Sequence, residues 1–191
     1  MLSRDEAIEI FKKSNALLTG HFRLTSGRHS GQYMQCAQVL QYPAYAGTLC
    51  AALAEKFSGI PVDLVIGPAM GGIIVAYEVG RALGVKTFFT EREQGAMSLR
   101  RGFAINPGEK VLVVEDVVTT GGSVKEVIEV VREKGGEVIG VGVLVDRSNG
   151  KADFGVKTES ILQMEIEAYE PEDCPLCKQG LPVVKPGSRQ V

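Results

Sequence analysis

The stretch Val111-Leu112-Val113-Val114-Glu115-Asp116-Val117-Val118-Thr119-Thr120-Gly121-Gly122-Ser123 decides the reading of the chain. Its first four residues are apolar and mostly β-branched, as in a buried parallel strand. Two adjacent carboxylates follow, then threonines, glycines and a serine. Ser123 and Glu126 have the spacing of a capping box, which predicts a helix starting near Ser123. Strand, acidic turn, Thr/Gly loop and helix N-terminus together build an anion site at the carboxyl end of a sheet strand. Glycines let backbone N–H groups turn toward a phosphate, and the helix N-terminus favours negative charge there. Glu115 and Asp116 repel a phosphate; they suit sugar hydroxyls or a hard cation. The plain alternative is an ordinary strand–loop–helix crossover with a solvated acidic turn.

The chain has 191 residues, 45% of them hydrophobic and 23% charged, which suits one soluble domain with a sizeable core. A net charge of −2 gives no argument for nucleic-acid binding. No apolar run approaches a membrane span, and the charged N-terminus lacks a signal peptide's apolar region. A cytoplasmic protein with no membrane and no nucleic-acid partner is expected.

Around the central stretch, strand and helix patterns alternate, so a mostly parallel α/β sheet flanked by helices is expected. Ser3 to Glu6 is another capping box, which predicts a first helix over about Ser3 to Leu18, closed by Gly20. Phe22 to Thr25 and Gln32 to Cys36 read as short strands around a turn. Pro43 opens a helix, and Asp63 to Gly67 reads as a strand. The glycine-rich turn Ala69-Met70-Gly71-Gly72 then exposes N–H donors before a further helix. Lys86 to Thr90 is a strand leading into the charged segment Glu91 to Gly102, a mobile loop or β-ribbon. Val124, Val127, Ile128 and Val131 make a helical stripe that ends at Gly135-Gly136. Val138 to Val145 is a buried strand finished by Asp146-Arg147, and Ile161 to Glu167 alternates as an edge strand. Arg147 lies where open α/β sheets bind ligands, and its planar fork matches a carboxylate.

The central stretch resembles the phosphoribosyl-pyrophosphate (PRPP) signature of the type I phosphoribosyltransferases. Leu24-Thr25-Ser26-Gly27-Arg28 with Ser30 and the Asp146-Arg147 pair are similar to the orotate phosphoribosyltransferases, and the Glu91 to Phe103 segment looks like a shorter-looped branch of them, typified by thermophilic bacteria. The resemblance implies the type I fold in one domain over 1–191: a small N-terminal hood over about 1–40, a core over about 41–170 and an extension over about 171–191. It implies conversion of orotate and PRPP to orotidine 5′-monophosphate and pyrophosphate with Mg²⁺, in de novo pyrimidine synthesis. Glu115 and Asp116 would then be catalytic. PRPP would be bound by these two with Arg92, Val117, Val118, Thr119, Thr120, Gly121, Gly122 and Ser123. Ala69, Met70, Gly71 and Gly72 would take pyrophosphate, and Thr119 and Arg147 would take orotate. The family's loop lysine and histidine are missing here, as is the lysine often found beside Met70. Arg100 and Arg101 stand in the segment that would close over the site. Thr25 stands where many members have a lysine. A homodimer with shared active sites is implied. A purine phosphoribosyltransferase and a PRPP-sensing, nucleic-acid-binding regulator are the alternatives.

Cys174-Pro175-Leu176-Cys177 is half a zinc site by spacing. The other cysteines, Cys36 and Cys50, are distant and lack that spacing. The reading is therefore a helical turn or partly buried thiols. No metal is expected from protein side chains, and purified protein should contain substoichiometric zinc.

Overall fold

Ser3 caps the first helix, α1 (Arg4–Lys13), by the predicted box. Its Oγ accepts from Glu6 N at 3.2 Å, and the Glu6 carboxylate accepts from Ser3 N at 2.8 Å. The computed structural model describes residues 2–24 and 26–186, so Thr25 lies outside the described residues. The helix stops short of Leu18. Ser14 Oγ donates back to the Ile10 carbonyl at 2.9 Å, and Asn15 takes a left-handed φ of 55°. The chain turns there, and Gly20 sits inside a strand, β1 (Leu17–Arg23), instead of closing a helix. β1 pairs antiparallel with β2 (His29–Met34), and both strands start a few residues earlier than the sequence suggested.

A short α2 (Ala37–Leu40) precedes α3 (Pro43–Glu55), which has proline in its first turn as expected. Then come β3 (Leu64–Pro68), α4 (Gly71–Leu83), β4 (Lys86–Glu93), β5 (Ala96–Leu99), β6 (Lys110–Val118), α5 (Gly122–Glu133), β7 (Glu137–Asp146), β8 (Thr158–Gln163) and α6 (Pro175–Lys178). The six-stranded sheet has the order β5-β4-β3-β6-β7-β8. Its pairs are parallel except the β4–β5 hairpin, so the segment after Thr90 is a ribbon.

β6 shows why the sheet is covered on both faces. Val111 and Val113 point into a cluster with Val124, Val127, Ile128 and Val131 of α5. Leu112 and Val114 point the other way, among Leu49 and Leu53 of α3 and Val75 and Val79 of α4. Alternate strand residues thus serve opposite faces. All four are fully buried, and burying each such side chain stabilises by about 1.5–3 kcal/mol.

The edge strand β8 ends at Gln163, earlier than the alternation to Glu167 suggested. From there the chain leaves the sheet and runs along the hood. Glu167 O accepts from Ser30 Oγ at 2.7 Å, Tyr169 bridges to His29, and Val184 bridges to Phe22. Residues 164–186 therefore form an arm laid against the β1–β2 hairpin. Among the described residues no helix is long and apolar enough to cross a membrane.

Candidate functional site

The two carboxylates lie near the carboxyl end of β6, an interior strand of the sheet. Glu115 is buried at 9% exposure, and its Oε1 accepts from the Asp116 N–H at 3.0 Å. Asp116 Oδ1 accepts from Val117 N at 2.8 Å. Burial pushes both carboxyls above their usual range, and the neighbouring Asp116 pushes Glu115 further. Two adjacent buried carboxyls ionise together only with a cation or several O–H donors in front of them. The pair thus asks for an electron-poor, hydroxyl-bearing ligand.

The Ala69–Gly72 turn closes directly on this pair. A Cβ on Gly71 would fall 2.6 Å from Asp116 Cγ, and one on Gly72 would fall 3.3 Å from Glu115 Oε1. Only a residue without a side chain lets the turn and the acids approach this closely. Met70 at its tip is exposed.

Beyond the acids, Val117 to Val124 line a shallow cup with Glu115 beside them. Gly121 takes a left-handed φ of 81° as the residue before α5, and Phe154 packs against it, 2.9 Å from where a Cβ would be. The predicted capping box is not made. The helix starts at Gly122, Ser123 is already inside it, and Glu126 instead accepts from Arg92 Nη2 at 2.7 Å. With no side-chain cap, the first N–H groups of α5 keep their capacity for an anion.

Arg147 follows β7, its N–H donating to Val118 O at 2.8 Å. Its Nε is buried with no hydrogen-bond partner, and burial lowers its pKa. Cys36 connects the two halves of the site. Its thiol reaches Asp116 O at 3.7 Å and lies within electrostatic range of the Arg147 guanidinium. Burial first, and the acids second, hold that thiol neutral. Thr90 Oγ1, in β4 opposite Pro68, and Ser148 Oγ, beside Arg147, are also buried without partners. The sequence pointed to none of these three. A lone hydroxyl or thiol near a strand end carries no local signal; the orphaned atoms became visible only in the fold.

The three loop arginines are exposed and paired. Arg92 also donates to Gly95 O at 2.8 Å. Arg100 pairs with Glu93 at 3.4 Å, and Arg101 forks onto Glu91 with two bonds of 2.8 Å.

Away from the acids, the arm brings the Cys174–Cys177 turn onto the hood. Cys36 and Cys50 have no spacing that would complete a site with this turn. The fold supplies histidines instead: ligand atoms of His21, His29, Cys174 and Cys177 all lie within 4.8 Å of one another. A four-residue set that could hold a metal is thus assembled where the cysteine spacing alone suggested none. Its cause is the pairing of strands β1 and β2 under the arm, which no local spacing encodes.

The phosphoribosyl transferase domain family matches residues 37–155. The chain is similar to the orotate phosphoribosyltransferase of Desulforamulus reducens, at 66% identity over 190 residues covering 100% of both chains. It is also similar to that of Pelotomaculum thermopropionicum, at 65% identity over 190 residues covering 100% of both. Among solved structures it resembles orotate phosphoribosyltransferase from Aeropyrum pernix, with a TM-score of 0.66 and 30% identity, over 82% of this chain and 92% of that one. The Mycobacterium tuberculosis H37Rv enzyme in complex with inorganic phosphate gives a TM-score of 0.70 and 26% identity, over 84% and 95%.

Proposed function

The chain belongs to the orotate phosphoribosyltransferases, within the phosphoribosyl transferase domain family, and from that premise we propose how its residues divide the work. The reaction joins orotate to PRPP, giving orotidine 5′-monophosphate and pyrophosphate in pyrimidine biosynthesis. The C1′–oxygen bond breaks with its electron pair leaving on pyrophosphate, the C1′–nitrogen bond forms, and the proton lost by the ring nitrogen passes to the departing pyrophosphate or to solvent. C1′ passes through a cationic state, so the protein's task is positioning and charge stabilisation.

The observation that carries the assignment is the Glu115–Asp116 pair, Glu115 buried and Asp116 half-buried, closed on one side by Gly71-Gly72 and on the other by the Thr119 to Ser123 cup. Glu115 and Asp116 hold the ribose hydroxyls, whose O–H donors satisfy carboxylates that have few other partners. As positive charge grows on the ribose, the acids stabilise it. Val117 to Ser123 and the uncapped α5 N-terminus hold the 5′-phosphate. Ala69 to Gly72 and Arg92 take the pyrophosphate, once Arg92 exchanges Glu126 for it. Thr119 and Arg147 take orotate, the unpartnered Arg147 guanidinium facing its carboxylate.

Mg²⁺ suits the oxygen donors present, since it binds through one or two carboxylates plus substrate phosphates. Glu115 and Asp116 are the residues that would face it, and when bound it neutralises charge on the leaving pyrophosphate. The protein works as a cytoplasmic homodimer. Met70, Ile74 and Tyr77, 82%, 41% and 62% exposed, fall on one side of α4 and its first turn, an apolar stripe suited to a second copy. Ile74→Glu with Tyr77→Glu should convert a dimer to a monomer in sedimentation; an unchanged mass would place any interface elsewhere.

The direct test is pyrophosphate release that requires orotate, PRPP and Mg²⁺ together. Turnover with adenine or hypoxanthine in place of orotate would reject the acceptor assignment. No turnover with any base would reject the enzyme.

A further inference from the structure

We propose that His21, His29, Cys174 and Cys177 form a tetrahedral zinc site that fastens the C-terminal arm to the β1–β2 hood. His21 Nε2 lies 3.0 Å from His29 Nδ1, 3.5 Å from Cys174 Sγ and 3.7 Å from Cys177 Sγ, and Cys177 Sγ lies 3.3 Å from His29 Nδ1. Tetrahedral zinc bonds of about 2.0–2.1 Å to nitrogen and about 2.3 Å to sulfur set ligand atoms roughly 3.3–3.8 Å apart. Four of the six separations are already near those values, and all six lie within 4.8 Å.

The second observation is the far side of the His21 ring. Its Nδ1 lies 2.8 Å from the Leu181 carbonyl, which can only accept, so Nδ1 carries a proton and in the neutral ring Nε2 is bare. A ligating histidine is held in this way, its other nitrogen donating to a backbone carbonyl. On that bare Nε2 three groups converge, although one lone pair accepts only one good hydrogen bond. A cation at their centre satisfies all of them.

Charge balance agrees. Two thiolates and two neutral imidazoles around Zn²⁺ sum to zero, the two thiol protons passing to solvent. A neutral cluster tolerates the burial of His21, His29 and Cys174. Four protein ligands leave no open position, the mark of a structural and not a catalytic zinc.

The arm also buries little apolar surface of its own. Among the described residues beyond Leu162, Cys174 is the only buried hydrophobic, while Leu181, Val183 and Val184 are 45%, 48% and 54% exposed. α6 has four residues, too few to hold its own shape. Strand bridges at Tyr169 and Val184 flank the cluster on either side. A metal clip joining residues so far apart in sequence removes much chain entropy for one bound ion.

The test uses the full, tag-free chain purified under reducing conditions without chelator. Elemental analysis should find about one zinc per chain, as a preformed four-ligand site retains its ion through purification. Cys174→Ser with Cys177→Ser should lose it, and Cys50→Ala should keep it. Stripping the wild-type protein should lower Tm by about 10 °C and speed proteolysis within the arm. Should the double variant fold poorly, Co²⁺ titration of stripped wild-type protein gives a separate reading: one equivalent should produce the intense visible bands of tetrahedral cobalt with thiolate charge transfer. Three results would each overturn the proposal: stripped, reduced protein that takes up neither Zn²⁺ nor Co²⁺; zinc retained in the double variant; or a Cys174–Cys177 disulfide in freshly purified protein. Loss of metal with orotate turnover retained leaves the catalytic assignment standing, so the two readings fail separately.

Discussion

Gly71 and Asp116 share one volume: the carboxylate occupies the space that any side chain on Gly71 would need, 2.6 Å from Cγ to a Cβ there. The turn assigned to pyrophosphate and the acid assigned to the ribose are therefore one mechanical unit. Moving either displaces the other, although they come from different strands, β3 and β6.

Gly71→Ala tests that unit. Alanine is the better helix former by roughly 1 kcal/mol, and Gly71 opens α4. Overpacking against Asp116 costs about 1–3 kcal/mol, so the net loss of stability stays small. Turnover should nevertheless fall at least tenfold, because the acid is pushed off its position. Asp116→Asn alone should lose on the order of tenfold to a thousandfold in kcat with the fold kept. In the double variant the two losses should not add. Fully additive losses in kcat would separate the turn from the acid.

Glu115 makes a pH prediction for the ligand-free protein. Burial and Asp116 raise its folded pKa above the ordinary 4.5, so the folded state holds the proton more tightly than the unfolded chain. Its contribution to stability is thus present below about pH 4.5 and is lost as pH rises toward the folded value. One such proton gives at most about 1.4 kcal/mol per pH unit. Melting temperature should fall with rising pH above 4.5, and Glu115→Gln should flatten that slope. Equal slopes in both proteins would mean that Glu115 ionises normally.

These relationships divide what the sequence could express from what it could not. The Val111 to Val114 run, the α5 stripe and the Gly-rich turns are local patterns, and the strand and helix periods alone located them. Arg147 at the end of β7 was legible for the same reason. The Gly71–Asp116 contact was not, because periodicity says which residues face inward but not which loops meet. The capping box at Ser123 misled because Glu126 had a better partner in Arg92, brought alongside by the β4–β5 ribbon. His21 and His29 carried no spacing motif, and only the pairing of β1 with β2 places them together under Cys174.

The ribbon arginines are tested by comparing stability with turnover. The Arg101–Glu91 and Arg100–Glu93 pairs are exposed, and such pairs contribute about 0–1 kcal/mol. Arg100→Ala and Arg101→Ala should each leave Tm nearly unchanged. If either arginine acts over the closed site, kcat or KM for PRPP should worsen several-fold while Tm holds. Unchanged kinetics in both variants would reduce the pair to a solvated charge cluster.

Arg147 decides substrate choice. Orotate differs from uracil by one carboxylate, and the only buried guanidinium nitrogen without a partner among the described residues is Arg147 Nε. Leaving such a donor unsatisfied costs free energy that a carboxylate recovers on binding. Charge-assisted bonds of this kind are worth about 1.5–3 kcal/mol, and 1.4 kcal/mol corresponds to tenfold. Arg147→Ala should therefore raise KM for orotate by roughly tenfold or more. Affinity for PRPP should hardly change, since its anchors run from Glu115 to Ser123 and through the Met70 turn. Arg147→Lys should recover little, because a point charge does not reproduce the planar fork. If PRPP binding is lost while orotate binding survives, Arg147 belongs to the phosphate site. If neither changes, the orphaned nitrogen is not an orotate ligand, and Thr90 and Ser148, the other unpartnered buried donors, become the groups to vary.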